Sequence, residues 1–262
     1  MTSVVEHEPK PSELDEVKPI WPRDLPLTAL ADGIEAPYGM LGGELEPGGQ
    51  LMLDACGEEI LIGVQESATT LRLIPTTGPT PLLVFTQPRL RCAPGRSLNV
   101  EIDVSLHLTL GVGGPHVNYT TVHEIAPPGA RRSLYGPVDA GIICRSVYTR
   151  AATSLDIRDP GELTARLKLS VVNSSAVTLE VSKVMLPVDS LSLWQHPSSG
   201  IFAGTTHMKL LSVREAELRF SHERPDGCVP VLGMNGERTD NSRPPLLFTY
   251  AYKNKTGLEY GF

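Results

Sequence analysis

The chain has 262 residues, 40% hydrophobic and 20% charged, the composition of a folded globular protein with room for one large domain or two small ones. A formal net charge of −7 opposes phosphate backbones and anionic lipid, so neither nucleic acid nor a membrane surface is an expected partner. No stretch approaches the ~20 consecutive apolar residues of a membrane helix, so no membrane insertion is expected, and four cysteines without a C-x-x-C pair read as reduced, buried thiols.

Residues 1–20 carry Glu6, Glu8, Glu13, Asp15 and Glu16 and prolines at 9, 11 and 19. Such a segment buries little apolar surface and is expected to be a disordered tail. It has no basic run followed by an apolar one, so no secretory signal is read and the expected location is the cytoplasm. Trp21, in "PIWPRDLPL", is the first residue expected to dock on the body.

From Pro37 the pattern is β. Short apolar runs, "QLMLDA", "EEILIGV", "TTLRLIP" and "PLLVFTQ", are separated by Gly, Pro and Asp. Over 98–112, Leu98, Val100, Ile102, Val104, Leu106, Leu108, Leu110 and Val112 alternate with Asn99, Glu101, Asp103, Ser105, His107 and Thr109. That period of two predicts one long strand with a buried and a wet face, His107 on the wet one.

"GVGGPH" follows this strand, but no Lys-Ser/Thr follows and no helix opens. It reads as a bend or bulge and not as a phosphate loop. The next stretch, "HVNYTTVHE", places His116, His123 and Glu124 near His107 in the chain. Imidazole and carboxylate together suit a divalent transition metal with open positions. The spacings H-x-H and H-E-x-x-H are absent, so the default expectation is no cofactor, with these four residues as the alternative metal set.

"RRSLYGPVDAGIICR" (131–145) reads as a turn built on Gly136, Pro137 and Gly141, leading into a buried strand. Cys144 sits in an apolar run with no nearby base, so it is expected to be buried and inert, and no catalytic residue is assigned. The phrase Leu134-Tyr135-Gly136-Pro137, then Gly141-Ile142-Ile143-Cys144-Arg145, resembles the archaeal and bacterial family called domain of unknown function 432. The segment "RLRCAPGRSLNVEIDVSLHLTLGV" resembles the same family, over about residues 37–225. The resemblance implies a β-rich fold and carries no activity with it.

Leu163, Ala165, Leu167, Leu169 and Val171 alternate, "NSS" supplies turn chemistry, and Val177, Leu179 and Val181 return, predicting an antiparallel hairpin. "VREAELRF" (213–220) fits either a helix or a strand. In the closing "RPPLLFTYAYKNKTGLEYGF", Phe248, Tyr250 and Tyr252 share one strand face. They form either a docked last strand or an interaction surface, because aromatics are enriched at interface cores.

The expected organisation is a tail (1–20), a first β-rich block (37–130), a second (131–225) and a C-terminal extension with the aromatic strand (226–262). The expected fold is an all-β antiparallel sandwich, as one large domain or two packed sandwich-like ones. The functional reading is a non-catalytic module that binds a protein partner or assembles as a homo-oligomer. The alternative is a metal-dependent enzyme using His107, His116, His123 and Glu124. A carbohydrate-binding module is third, since two tryptophans offer few stacking platforms.

Overall fold

The computed structural model describes residues 20–152, 163–188, 191–197, 200–213, 215–237 and 248–251. Its strands in chain order are β1 (Arg23–Pro26), β2 (Ile34–Ala36), β3 (Gly39–Glu46), β4 (Gln50–Ala55), β5 (Glu58–Gly63), β6 (Thr70–Thr76), β7 (Leu82–Cys92), β8 (Ser97–Ser105), β9 (His107–Gly114) and β10 (Val117–Ile125). There follow β11 (Arg131–Tyr135), β12 (Ile142–Arg150), β13 (Thr164–Asn173), β14 (Leu179–Leu186), β15 (Leu193–His196), β16 (Gly200–Ala203), β17 (Thr206–Leu210), β18 (Glu215–Phe220), β19 (Val229–Pro230) and β20 (Phe248–Ala251). A 3-10 turn spans Leu27–Asp32. Among the described residues, no helix is long and apolar enough to cross a membrane.

The fold is all-β. The strands form four sheets, in the orders β1-β6-β9-β10, β2-β3-β4-β5, β11-β12-β7-β14, and β19-β15-β16-β13-β17-β18-β20 with β8 on the other side of β13. Most pairs are antiparallel, while β12 runs parallel to β7, and β16 and β17 run parallel to β13. The main core extends from Trp21 and Leu30 through Leu71, Ile102, Leu108 and Leu167 to Met234. Trp21 docks as expected. Its N–H donates to Gln195 Oε1 at 2.7 Å, and Gln195 Nε2 donates back to the Trp21 carbonyl.

The long alternating stretch is two strands, not one. β8 alternates and pairs with β13 from Ser97 to Ser105. At Leu106 the chain leaves that sheet, and β9 pairs with β6 and β10 in another. Leu106 is fully buried, and its N–H donates to the Leu163 carbonyl at 2.9 Å. Beyond it all eight residues of β9 are buried, so His107 is not on a wet face. The glycines of "GVGG" continue β9, and the register shifts fall on its neighbour β10.

The expected hairpin at 163–181 is likewise a crossing. β13 pairs with β8, β16 and β17, whereas β14 pairs with β7. The fully buried Asn173 fixes the corner. Its Nδ2 donates to the carbonyls of Cys92 and Val177 at 2.8 Å each, and its Oδ1 accepts from the Ser175 N–H at 2.9 Å. The ambiguous 213–220 stretch is strand β18. Because β7 pairs with β12 and β14, and β8 with β13, strands from 37–130 and 131–225 share two sheets.

Candidate functional site

Two of the candidate metal ligands meet where the chain changes sheets. Register places Thr76 opposite His107, and Thr109 opposite Glu124. Thr76 Oγ1 lies 3.0 Å from Thr109 Oγ1 and donates to Glu124 Oε1 at 3.3 Å. His107 Nδ1 is 3.3 Å from the same Glu124 oxygen, a close approach without hydrogen-bond alignment. The His107 ring packs on Gly78, where φ is +83° and a Cβ would come within 2.7 Å of the imidazole. Arg145, also buried, donates from Nη2 to the Ser105 carbonyl at 2.7 Å and the Thr77 carbonyl at 3.4 Å. The Tyr38 hydroxyl donates to the Leu106 carbonyl.

The electrostatics follow from burial and pairing. The His107 imidazole holds the Glu124 carboxyl below the usual glutamate range, against partial burial, with Thr76 and Arg145 acting in the same sense as His107. Burial pushes the Tyr38 hydroxyl up to about 12 and the Arg145 guanidinium down from its ordinary value. The cluster sets a part-buried carboxylate beside the Thr76 hydroxyl and the His107 ring, while both His107 ring nitrogens and Arg145 Nε are buried without a hydrogen bond.

The other two histidines lie elsewhere. His123 and Glu124 are strand neighbours and point to opposite faces. His123 Nε2 meets Glu58 Oε2 at 3.6 Å. His116 is exposed at the rim of an open concavity of 380 Å³ shared with Arg72, Asn118, Tyr119 and Asn235. There Arg72 grips Asp24 through two 2.6 Å bonds and stacks 3.8 Å from the centre of the Tyr119 ring. Among the described residues, no three His, Cys, Asp or Glu side chains converge on a point that could hold a metal ion.

The C-terminal strand β20 lies at the end of the large sheet, with Phe248 opposite Leu218 and Tyr250 opposite Ala216 on β18. Tyr252, and the side chains of Phe248 and Tyr250, lie outside the described residues.

A further surface comes from the sheet β11-β12-β7-β14. One face, with Leu82, Val84, Val147, Val184 and Leu186, joins the main core. The opposite face carries a second, separate cluster of Leu83, Cys144 and Met185, with Phe85 and Tyr135 packed on it. Burial pushes the Cys144 thiol up to about 11. On the same face Tyr148 stacks on Phe85, ring centres 4.8 Å apart and planes 11° apart, yet is 63% exposed. Ile142, opposite Tyr135, is 47% exposed.

At the adjoining turn, φ is +108° at Gly136, and a Cβ on Gly141 would meet the Pro137 carbonyl and a Leu134 methyl at 2.7 Å. The turn thus requires both glycines, and it leaves Leu134, Val138 and Ile143 exposed. By alternation and register the face also carries Arg131, Arg150, Lys183, Arg89 and Arg91. Its one carboxylate among the described residues is Glu180, which accepts from Arg89 at 2.9 Å and Arg91 at 3.0 Å. Residue-by-residue reading missed this surface, since its aromatic pair is assembled by a parallel pairing between distant strands. Ile142 and Ile143, expected to be buried, are exposed, and Ile142 lies on this face.

An all-β body with this surface belongs to a defined family. Residues 57–244 match the family model described as "Protein of unknown function (DUF432)", and the chain is a member of that family. The match contains both motifs that carried the resemblance, starting later and ending later than the expected 37–225. No curated protein and no solved structure matches the chain.

Proposed function

We propose that the protein is a non-catalytic interaction module whose contact surface is the outer face of β11-β12-β7-β14. The observation that carries this reading is the second apolar cluster on a face turned away from the core, with the Phe85–Tyr148 stack and Ile142 left in solvent. Tyr, Phe and Arg together are the residues enriched where interfaces form. Fully burying an aliphatic or Phe side chain gains about 1.5–3 kcal/mol, so a partner that covers this patch gains several such contributions. Among the described residues β11 is the end strand of this sheet, so an edge lies beside the patch. The aromatic C-terminal strand Phe248–Ala251 would be a second contact element of the same kind, at the end of the large sheet.

A photo-crosslinking residue at position 148 of the full-length chain, activated in cells, tests the reading. We expect a discrete adduct at 148, absent when the probe sits at the exposed Val177, and lost with Ile142→Asp. A probe at 148 that forms no adduct rejects the surface. The reading of His107 and Glu124 as a metal site, with a divalent transition metal as cofactor, is retained for test because these two side chains do meet. Elemental analysis of the purified protein should find no stoichiometric metal if the interaction reading holds.

A further inference from the structure

We infer that the outer face of β11-β12-β7-β14 docks on the outer face of the β2-β3-β4-β5 sheet of a second copy of this chain. This rests on the interaction reading above and names its partner. The two faces are opposite in charge and alike in apolar content. From Asp24 to Leu71 the sequence contains no lysine or arginine. Within that stretch, β2 to β5 form a meander whose inner face, Leu41, Leu51, Leu53, Ala55 and Ile62, is in the core.

The outer face follows from the register. Glu35 pairs with Met40, Asp54 lies between Gly42 and Glu59, and Met52 lies between Glu44 and Leu61. Met40 is 54%, Met52 38% and Leu61 59% exposed. Beside them an open concavity of 470 Å³ is lined by Glu44, Met52, Asp54 and Glu59, with Ala31 and Gly43. The surface is therefore three exposed apolar side chains among Glu35, Glu44, Glu46, Asp54 and Glu59. Methionine is an unbranched thioether that adapts to aromatic surfaces and gains from contact with ring edges.

The proposed acceptor face has the converse make-up. Tyr148, Phe85 and Ile142 stand among Arg131, Arg150, Lys183, Arg89 and Arg91, with Glu180 the acid of these strands among the described residues. Two whole chains, each of net charge −7, repel. Attraction needs a local match of sign, and these two faces supply it. Four strands at ~4.8 Å spacing, with β3 to β5 of six to eight residues at ~3.3 Å rise, make the smaller, acidic face roughly 19 by 23 Å, and this face limits the contact. That is below a standard interface, and implies a weak, reversible, salt-sensitive contact. Because the two faces differ, the contact is head-to-tail, and each bound copy still offers an unused face.

Sedimentation equilibrium of the full-length protein is run on the wild type and two double variants, Arg89→Glu with Arg131→Glu, and Glu44→Lys with Glu59→Lys. The wild type should associate reversibly, with the association constant falling about tenfold or more between low and high salt. Each double variant alone should weaken association sharply, because the altered face keeps almost no net charge to oppose its partner: three cations against three acids on one face, or three acids against two lysines on the other. Their equimolar mixture should recover a complex of twice the chain mass. The position-148 crosslink should map to residues 39–63 of a second copy, a readout that needs neither variant to fold.

A wild type that stays monomeric at its highest attainable concentration overturns the second-copy inference, as does a mixture that fails to recombine. If position 148 then crosslinks to a different protein, the interaction reading stands and only this inference falls. If it crosslinks to single-stranded nucleic acid, or to nothing, both fall.

Discussion

The Cys144 thiol packs between Leu83 and Met185, and burial lifts it to about 11, so it is poorly ionised near neutral pH. Cys92 and Cys228 are buried as well, whereas Cys56, in the β4–β5 turn, is partly exposed. A maleimide reagent should therefore label Cys56 first in the native protein, and the other three only on unfolding, which peptide mass mapping will show. Glu124 gives a pH dependence with a definite sign. Its folded-state carboxyl is held below the unfolded value, chiefly by His107, so its stabilising contribution is fully present above the ordinary glutamate range and is lost as pH falls through the lower folded value. Melting temperature should decline on that acid limb, and Glu124→Gln should flatten the part of the decline that this carboxylate causes. An unchanged slope in the variant would show that the His107–Glu124 contact has no energetic weight.

At the level of strands, the two crossings bear the most weight. Asn173 spends its whole side-chain amide on the corner between β13 and β14, so Asn173→Ala removes the donor to the buried Cys92 carbonyl, while the Val177 carbonyl keeps Ser175 Oγ. The expected cost is about 2–4 kcal/mol, read as a fall in denaturant midpoint without loss of the native circular dichroism spectrum at low denaturant. Leu106→Ala should cost a similar ~2–5 kcal/mol, since the buried turn between two sheets has little freedom to collapse into the cavity. These crossings mark the limit of what could be read from residues alone. Alternation in 98–112 and 163–181 correctly identified strand, because a period of two reports two unlike faces. It is silent on which sheet a strand joins. A chain can keep its alternation while it turns a corner, as it does at Leu106, and a strand covered on both sides makes a "wet" position such as His107 buried. The meeting of His107 with Glu124 was half legible, since both lie in adjacent strands. The separation of His123 followed from strand geometry that only the register settles.

For the whole molecule, the sharing of sheets between the two sequence blocks has a direct test. A fragment spanning 37–130 would keep β7 and β8 but lack β12, β13 and β14, their hydrogen-bonding neighbours. It should show no cooperative melt, whereas two independent blocks would give one each. The same pairing sets an order of events during synthesis. β7 and β8 leave the ribosome well before the strands that flank them exist, and for that interval they present two unsatisfied apolar edges. Pairings this distant in the chain are slow to close, because a long loop must be ordered before any contact rewards it. We therefore expect the nascent chain to need chaperone cover until residue 186 has emerged, and a ribosome stalled near residue 160 should release an aggregation-prone product.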